Sequence, residues 1–408
     1  MAFTKIRALM TKLSDNFPFL GTVTGTTIAD NSITDAKFAS TIAASNFSGA
    51  LPAIDGSALT GLSATTTSSS DPLITTNGTL GDVFINTTSG ETYICTDATT
   101  DNNVWTNVGG GSGDIPAYVF QGTQFGYCVS GTTPSASDVV DKYSYSADGD
   151  AVDVCDLTVG RASTATAKSF THGYCAGGGQ GGMPYFNQID KWAFANNNNA
   201  TDVGDTVYVG MYQGCASSST HGYMAGGTDG SAPYNGAKND INKWAFATDG
   251  NATDAGDLSQ HAKPYTGHSS ETHGYVSGSE GSDTDRIDKW PFASDAGGSN
   301  IGNITSDRSN SAGCSSTEHG YNVGGYQSIN IIDRFAFASD GNATDWADLA
   351  TGNSYQGGSS STTQGYCAGG GYPPIHNNIH KFSYSSQANS TDIGDITVPR
   401  RYSGGTQI

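Results

Sequence analysis

The chain contains few positively charged residues. Its 408 residues include 18 Lys and Arg against 38 Asp and Glu, which gives a formal net charge of -20. Nucleic-acid-binding proteins need a basic surface to displace the counterions of the phosphate backbone, and anionic membranes attract the same kind of surface. The composition therefore predicts neither a nucleic-acid partner nor an anionic membrane partner. Charged residues of both signs make up only 14% of the chain, which is too few for a disordered acidic tail.

Long apolar runs and paired cysteine motifs are also missing. No run approaches the roughly 20 apolar residues of a membrane-spanning helix. The apolar positions after Lys5 and Arg7 are interrupted by Lys12, Ser14 and Asp15, unlike the core of a signal peptide. We therefore expect that the chain does not insert into a membrane and that it is made in the cytoplasm. The seven cysteines lack Cys-x-x-Cys spacing, which predicts free thiols. No metal, nucleotide or nucleophile motif rises above chance, so we predict no cofactor and no catalytic residue.

Glycine, in contrast, is abundant. The chain contains 55 glycines, nearly twice the usual share of about 7%. Ser, Thr, Asn and Asp fill the spaces between short apolar runs. This combination predicts many short strands joined by tight turns, and hence an all-β fold.

Two phrases recur six times in the second part of the chain. The first is Gly-Tyr, with its tyrosines at Tyr127, Tyr174, Tyr223, Tyr275, Tyr321 and Tyr366. The second resembles Ile-Asp-Lys-Trp and ends at Tyr143, Trp192, Trp244, Trp290, Phe335 and Phe382. The distance from each second phrase to the next Gly-Tyr is always 31 residues, whereas the distance from Gly-Tyr to the second phrase varies from 14 to 21. One connection in each repeat absorbs every insertion, which indicates a constant framework that presents variable loops.

Each repeat offers four strand-like pieces, a pattern typical of the blades of a β-propeller. The sequence predicts six blades over residues 115–408. Gly-Gly doublets at 177–178, 226–227, 324–325 and 369–370 follow apolar strands and resemble the kelch motif, although the aromatic spacing after the doublet differs from it. The resemblance implies a six-bladed kelch-like β-propeller. Either Tyr118 to Gln121 or Arg401 to Gln407 can supply the strand that completes the first blade.

A basic residue recurs in the second phrase of all six repeats. These residues are Lys142, Lys191, Lys243, Lys289, Arg334 and Lys381. A cation on a packed face needs a partner. We predict that it pairs with the acid of the Gly-Asp piece of its repeat, such as Asp205, Asp257 or Asp395.

Residues 1–20 predict a short amphipathic helix. Its apolar stripe consists of Phe3, Ile6, Leu9, Met10 and Leu13, and a stripe of this kind needs a partner. The segment is either a frayed start that docks on its own chain or a peg that inserts into another protein or into copies of itself.

Residues 21–62 are of low complexity and form either a linker or a segment in which several chains wind together. Residues 63–70 are rich in Ser and Thr, which predicts a linker. Residues 31–37 (Asn-Ser-Ile-Thr-Asp-Ala-Lys) and 51–62 resemble phrases in the shafts of bacteriophage tail fibres, which are usually trimeric. The resemblance implies a virion-docking peg at 1–20, a fibre shaft and linker at 21–70, a homotrimer and a place in the virion tail. Residues 71–114 predict a small β module with a hairpin, a third strand and a glycine hinge.

The fibre resemblance also implies a function. The chain would be a tail fibre or tail-tip structural protein that docks on other phage tail proteins by its N-terminus and binds a host cell-surface glycan or protein through the variable loops. Aromatic side chains in these loops are suited to stacking on sugars. The candidates are Tyr185, Phe186, Tyr234, Tyr326, Tyr372 and His376. Two alternatives stay open, a glycan-degrading enzyme carried on the fibre and a purely structural adaptor or decoration protein.

Overall fold

Strands joined by turns and loops account for the described part of the chain, which contains no α-helix. The computed structural model describes residues 65–108, 118–180, 184–231, 236–281 and 284–408. The all-β prediction is confirmed for these residues. The predicted N-terminal helix, its five docking candidates and most of the predicted shaft lie outside them. Residues 63–408 belong to one compact unit.

A small sheet opens the described chain, and we call it the N-terminal sheet. Its strands, in spatial order, are β1 (Thr65–Ser68), β2 (Val83–Asn86), β3 (Thr92–Asp97) and β4 (Val104–Asn107). Trp105 is buried in its core and donates its indole N–H to the carbonyl of Thr76 at 3.0 Å. β1 pairs with β2 in parallel. The linker expected at 63–70 is therefore partly strand, because its β-branched threonines favour an extended edge position.

The repeats supply 24 further strands. The first twelve are β5 (Phe125–Val129), β6 (Ser137–Ser144), β7 (Val152–Arg161), β8 (Ala165–Lys168), β9 (His172–Ala176), β10 (Gln188–Ala193), β11 (Thr201–Asp205), β12 (Gly214–Ser217), β13 (His221–Ala225), β14 (Lys238–Ala245), β15 (Thr253–Ala262) and β16 (Gly267–Ser269). The others are β17 (His273–Ser277), β18 (Arg286–Pro291), β19 (Ser299–Asn303), β20 (Ala312–Ser315), β21 (His319–Val323), β22 (Ile331–Ala336), β23 (Thr344–Asp348), β24 (Gly357–Ser360), β25 (Gln364–Ala368), β26 (Asn378–Ser383), β27 (Thr391–Asp395) and β28 (Gly404–Gln407).

These strands form six antiparallel four-stranded sheets. Sheet 1 has the order β28-β5-β6-β7, and sheets 2 to 6 take β8–β11, β12–β15, β16–β19, β20–β23 and β24–β27. The first strands contact one another in a closed circuit that runs from β8 through β12, β16, β20, β24 and β28 back to β8. With the N-terminal sheet there are seven four-stranded sheets in the described residues, an arrangement compatible with a β-propeller-like fold.

Sheet 1 combines the two ends of the repeat region. β28 pairs with β5 in the register Gly404↔Val129 to Gln407↔Gly126. Of the two candidates for the missing strand, the C-terminal one fills the position. The other, Tyr118 to Gln121, runs past the first strands instead. Gln121 donates to the carbonyl of Ser315 at 2.9 Å.

Packing between neighbouring strands requires the glycine of the Gly-Tyr phrase. The phrase lies on the second strand of each sheet, and its glycine faces the aromatic residue of the third strand, as in Gly173↔Trp192 and Gly320↔Phe335. A Cβ atom at either glycine would overlap the facing ring. The missing side chain therefore makes room for a buried aromatic ring on the same sheet.

The tyrosine of the same phrase joins neighbouring sheets. Each one stacks on the aromatic residue two positions after the third-strand aromatic of the next sheet, with ring centroids 4.4 to 5.1 Å apart. The pairs are Tyr127–Phe194, Tyr174–Phe246, Tyr223–Phe292, Tyr275–Phe337, Tyr321–Tyr384 and Tyr366–Tyr145. The last pair joins sheet 6 to sheet 1, so the stacks also form a closed circuit.

Four of the six recurrent basic residues form ion pairs across sheets, and the partner predicted for them is wrong. Lys142 and Arg334 lie over the rings of Phe125 and Trp346 instead. Lys191 binds Asp249 at 2.8 Å and Lys381 binds Asp148 at 2.6 Å, and both carboxylates lie in Asp-Gly turns of the next sheet. Lys243 with Asp295 and Lys289 with Asp340 repeat the pattern. The third strand directs its lysine across the gap to the neighbouring turn, so the acid of its own Gly-Asp piece is not the partner.

Buried ion pairs also join the sheets. Three such pairs connect the end of a fourth strand, or the connection after it, to the third strand of the next sheet. They are Arg161–Asp190, Arg308–Asp333 and Arg400–Asp141, and their side chains have no solvent exposure. Asp141 also accepts hydrogen bonds from the backbone and hydroxyl of Thr397. The Arg400–Asp141 pair joins sheet 6 to sheet 1.

The antiparallel order sorts the connections to two ends of the sheets. The variable loops between second and third strands share one end, here the loop end, with the connections from each fourth strand to the next first strand. Hydrogen bonds between the two kinds of connection confirm this, for example Gly178 N–H to Gly210 O at 2.7 Å and Gly370 N–H to Arg400 O at 2.7 Å. The remaining turns share the opposite end, the turn end.

The N-terminal sheet contacts the turn end. Asn102 donates to the carboxylate of Glu271 at 2.8 Å, and Ser219 donates to the carbonyl of Asp101 at 3.0 Å. Leu73 and Phe170 line an apolar cavity of about 380 Å³ at this junction. The loop end is therefore the end away from the N-terminal part of the unit.

We predict that Gly320→Ala lowers the free energy of unfolding by about 1–3 kcal/mol, because the added methyl overpacks the Phe335 ring. Urea unfolding of the full chain measures the change. The double variant Gly320→Ala/Phe335→Leu should lose less free energy of unfolding than the two single variants lose together. The reason is that leucine at position 335 leaves room for the added methyl group. Strict additivity of the two changes would contradict this packing.

We also predict that Arg400→Met costs about 3–5 kcal/mol, since it leaves Asp141 buried without its counter-charge. The matched control is Lys381→Met, which removes an ion pair that also crosses between sheets but reaches solvent, and should cost less than about 1 kcal/mol. Thermal unfolding of both variants compares them. Equal losses would show that burial does not distinguish the two pairs.

Candidate functional site

The six connections that enter the first strands share an unusual backbone conformation. Each places a non-glycine residue at positive φ just before the first strand. These residues are Ser163 (57°), Tyr212 (67°), Tyr265 (56°), Asn310 (59°), Tyr355 (61°) and Tyr402 (59°). The left-handed region costs an L-residue roughly 1–2 kcal/mol, and of these residue types only Asn adopts it readily. Strain that recurs at one position around the circuit is a feature that points to a functional site.

Backbone hydrogen bonds join five of these six residues, all except Tyr265. Tyr402 N–H donates to Tyr355 O at 2.8 Å, Ser163 N–H to Tyr402 O at 2.8 Å, and Tyr212 N–H to Ser163 O at 3.1 Å. Tyr355 N–H bonds Asn310 O in the same way at 2.8 Å. Each bond runs from one sheet to the same position of the preceding sheet. At these five positions the left-handed conformation is thus part of a backbone network that runs around most of the centre of the circuit.

The four tyrosines of this set form the axial tyrosine cluster, defined as Tyr212, Tyr265, Tyr355 and Tyr402. Their ring centroids are 4.4 Å apart for Tyr212–Tyr265, 4.2 Å for Tyr355–Tyr402 and 6.5 Å for Tyr212–Tyr402. The depression that they line has a free volume of only about 30 Å³, roughly that of one water molecule. The rings therefore fill most of the space at the centre of the circuit.

The hydroxyls of the cluster are neutral hydrogen-bonding groups. Burial raises the pKa of Tyr212 to about 12. Burial, followed by the proximity of Tyr402, also raises the pKa of Tyr355. Burial raises the pKa of Tyr265 as well, and its hydroxyl donates to the carboxylate of Glu280 at 3.0 Å. Near neutral pH Tyr212, Tyr265 and Tyr355 therefore present ring faces and uncharged hydroxyls.

Two exposed receptor-binding candidates, Tyr326 and Tyr372, extend this cluster. Tyr326 lies 6.4 Å from the ring of Tyr355 and 5.4 Å from that of Tyr372. Tyr326 and Tyr372 are 38% and 48% exposed, so both rings are accessible. A hydrogen bond to Tyr372 raises the pKa of Tyr326. The two candidates thus extend the aromatic surface from the centre towards the variable loops.

Of the other candidates, Tyr185 lies near Tyr212, whose pKa its proximity helps to raise. Tyr185 and Phe186 are half-buried, and Phe186 N–H is bonded to Gly178 O at 2.8 Å. His376 lines a cavity of about 170 Å³ with His380 and Asp392. Tyr234 lies outside the described residues. The structure therefore does not gather the six candidates into one surface.

Sequence reasoning missed the axial tyrosine cluster, although a signal was present. Tyr212 and Tyr355 each precede the Gly-Tyr tyrosine of their repeat by 11 residues, and Tyr265 precedes it by 10. The repetition marks a shared position in the framework. It does not show that these positions converge, because convergence depends on closure of the circuit.

The cluster has one charged group beside each tyrosine pair. Glu280 lies beside Tyr265, as described above. Arg401 lies with its guanidinium carbon 5.2 Å from the ring centroid of Tyr402 and 5.9 Å from that of Tyr355. Aromatic faces, hydroxyls and these two charges can bind a polar ligand with apolar faces, such as a sugar.

No protein-family model and no curated protein matches the chain. Across the ranges given above, no three His, Cys, Asp or Glu side chains come together in a way that could hold a metal ion. Within the same ranges no helix has the length and apolar character needed to cross a bilayer. The seven cysteines are all free.

We predict that Tyr402→Gly is more stable than Tyr402→Ala by about 1 kcal/mol. Both variants lose the ring, and only glycine is free of the cost of positive φ. Denaturant unfolding measures the difference. Tyr372, which is not at positive φ, provides the control. At this position the glycine variant should be no more stable than the alanine variant. A more stable Tyr402→Ala would show that the backbone stores no strain at this position.

Proposed function

We propose that this chain is a tail fibre or tail-tip protein of a bacteriophage that binds a receptor on the host cell surface through its loop end. In this proposal the six repeat sheets are the blades of a six-bladed, kelch-like β-propeller. The closed circuits of first strands and of tyrosine stacks support that architecture. Residues 1–20 form the helical peg that docks on other tail proteins, and residues 21–62 form the shaft of a homotrimer. The similarity of residues 31–37 and 51–62 to phage fibre shafts supports these assignments.

The observation that carries the receptor proposal is the axial tyrosine cluster together with Tyr326 and Tyr372. These side chains form an aromatic surface at the end that bears all the variable loops. The N-terminal sheet occupies the opposite end, so a virion attached there leaves the aromatic surface free to meet a cell. Tyrosine supplies large contact area and a hydroxyl while losing little conformational entropy. A host surface glycan is therefore the favoured receptor.

Cell adsorption tests this function. Fluorescently labelled full chain is mixed with a panel of bacterial strains, and the bound fraction is measured by flow cytometry. Tyr355→Ala and Tyr372→Ala should each weaken adsorption about tenfold, the equivalent of losing about 1.4 kcal/mol of ring contact. The control is Phe170→Ala, which removes an exposed ring at the turn end and should leave adsorption unchanged.

The same assay separates the alternatives. Release of reducing sugar from the surface polysaccharide of an adsorbing strain would identify a glycan-degrading enzyme. Adsorption to none of the strains would contradict receptor binding and favour a structural adaptor. Equal loss in Phe170→Ala and Tyr355→Ala would place the contact surface away from the cluster.

A further inference from the structure

Arg401 departs from the repeat in which it lies. It directly precedes the positive-φ residue Tyr402, and the same position in the other five connections holds Ala162, Met211, Pro264, Ser309 and Ser354. Five of six repeats thus fold without a charged residue there. The framework does not require this cation, so its presence calls for another explanation.

The side chain of Arg401 has no anionic partner among the described residues. Nine of the 14 lysines and arginines in those residues form an ion pair with a carboxylate, and Arg401 does not. Its Nε is buried without a hydrogen bond, as are those of Arg161, Arg286 and Arg400, so the missing carboxylate is what distinguishes Arg401. The adjacent Arg400, in contrast, is fully buried against Asp141 at 2.9 Å.

Two contacts fix the position of Arg401. Its backbone N–H and carbonyl bond Thr132 of a variable loop, the carbonyl accepting at 2.8 Å. Its guanidinium lies over the rings of Tyr355 and Tyr402, as described above. The planar fork is therefore held at the edge of the aromatic surface, and an unpaired fork of this kind binds carboxylate or phosphate groups through two parallel hydrogen bonds.

We infer that Arg401 and the Tyr355–Tyr402 pair form a subsite for an anionic sugar, one that carries a carboxylate or a phosphate group. The sugar ring stacks on the tyrosines and its anionic group binds the guanidinium. Glu280, beside the other tyrosine pair, repels a second anion and accepts hydroxyls. This subsite rests on the proposed receptor function and names the class of glycan.

The net charge of -20 does not oppose this assignment at short range. At physiological ionic strength the Debye length is about 8 Å, so exposed charges further away are largely screened. A contact between a guanidinium and an anion is shorter than that. The acidic chain will instead slow the approach of an anionic polymer at low salt, which makes the binding assay best conducted near physiological ionic strength.

The test uses polysaccharide extracted from a strain that adsorbs the full chain. One portion is left native, one has its carboxyl groups reduced to alcohols by carbodiimide and borohydride, and one has its phosphodiesters removed by hydrofluoric acid. Calorimetry measures the Kd of the wild-type chain for each. We expect one of the two treatments to weaken binding about ten- to a hundredfold, and which treatment does so identifies the anionic group.

The variants locate the effect. Arg401→Gln should weaken binding of the native polysaccharide by a similar factor and should bind native and treated polysaccharide equally. Arg401→Lys keeps the charge without the fork and should be intermediate. Lys238→Gln is the matched control, because it removes a cation at the loop end of β14 that is already paired with Asp229. Thermal unfolding confirms that each variant folds.

Three outcomes overturn the inference and leave receptor binding standing. They are equal binding of native and both treated polysaccharides, unchanged binding by Arg401→Gln, and adsorption to cells without binding to their polysaccharide. Adsorption to no strain at all contradicts the receptor function itself, and the subsite with it.

Discussion

The fold depends on a single contact that is made six times. A tyrosine from the second strand of each sheet stacks on an aromatic residue of the next sheet, and the sixth stack, Tyr366 on Tyr145, returns to the first sheet. The glycine beside each tyrosine leaves space for the third-strand aromatic of the same sheet. The third-strand aromatic of one sheet and the tyrosine of the next sheet are always 31 residues apart. The segment that leads from the third strand of one sheet to the second strand of the next therefore has a constant length.

Much of this framework could be predicted from the sequence. The all-β class, the four strands per repeat and the position of the variable connection all follow from periodic phrases, because local packing needs specific residues at fixed intervals. Closure by the C-terminal strand was one of two open alternatives, since both segments have a suitable strand pattern. The lysine partner was wrong because a strand pattern gives the face of a side chain and not the neighbour across the gap.

The candidate site was less predictable for a related reason. The sequence shows which loops carry aromatic residues but not which of these residues come together. Tyr326 and Tyr372 meet, whereas His376 lies in another cavity. The axial tyrosine cluster is visible only as a repeated position, and its positive φ arises from hydrogen bonds between sheets far apart in the chain. Arg401 stands out from its repeat only after that position has been aligned through the structure.

Pairing of β28 with β5 has a consequence for assembly. β28 follows all the other described strands in the sequence, so the other five repeat sheets can form from strands that are consecutive in the chain while the first sheet still lacks its partner. An open first sheet exposes unpaired backbone at β5. The same edge can accept β28 of another copy, which is the geometry of a strand exchange between two chains.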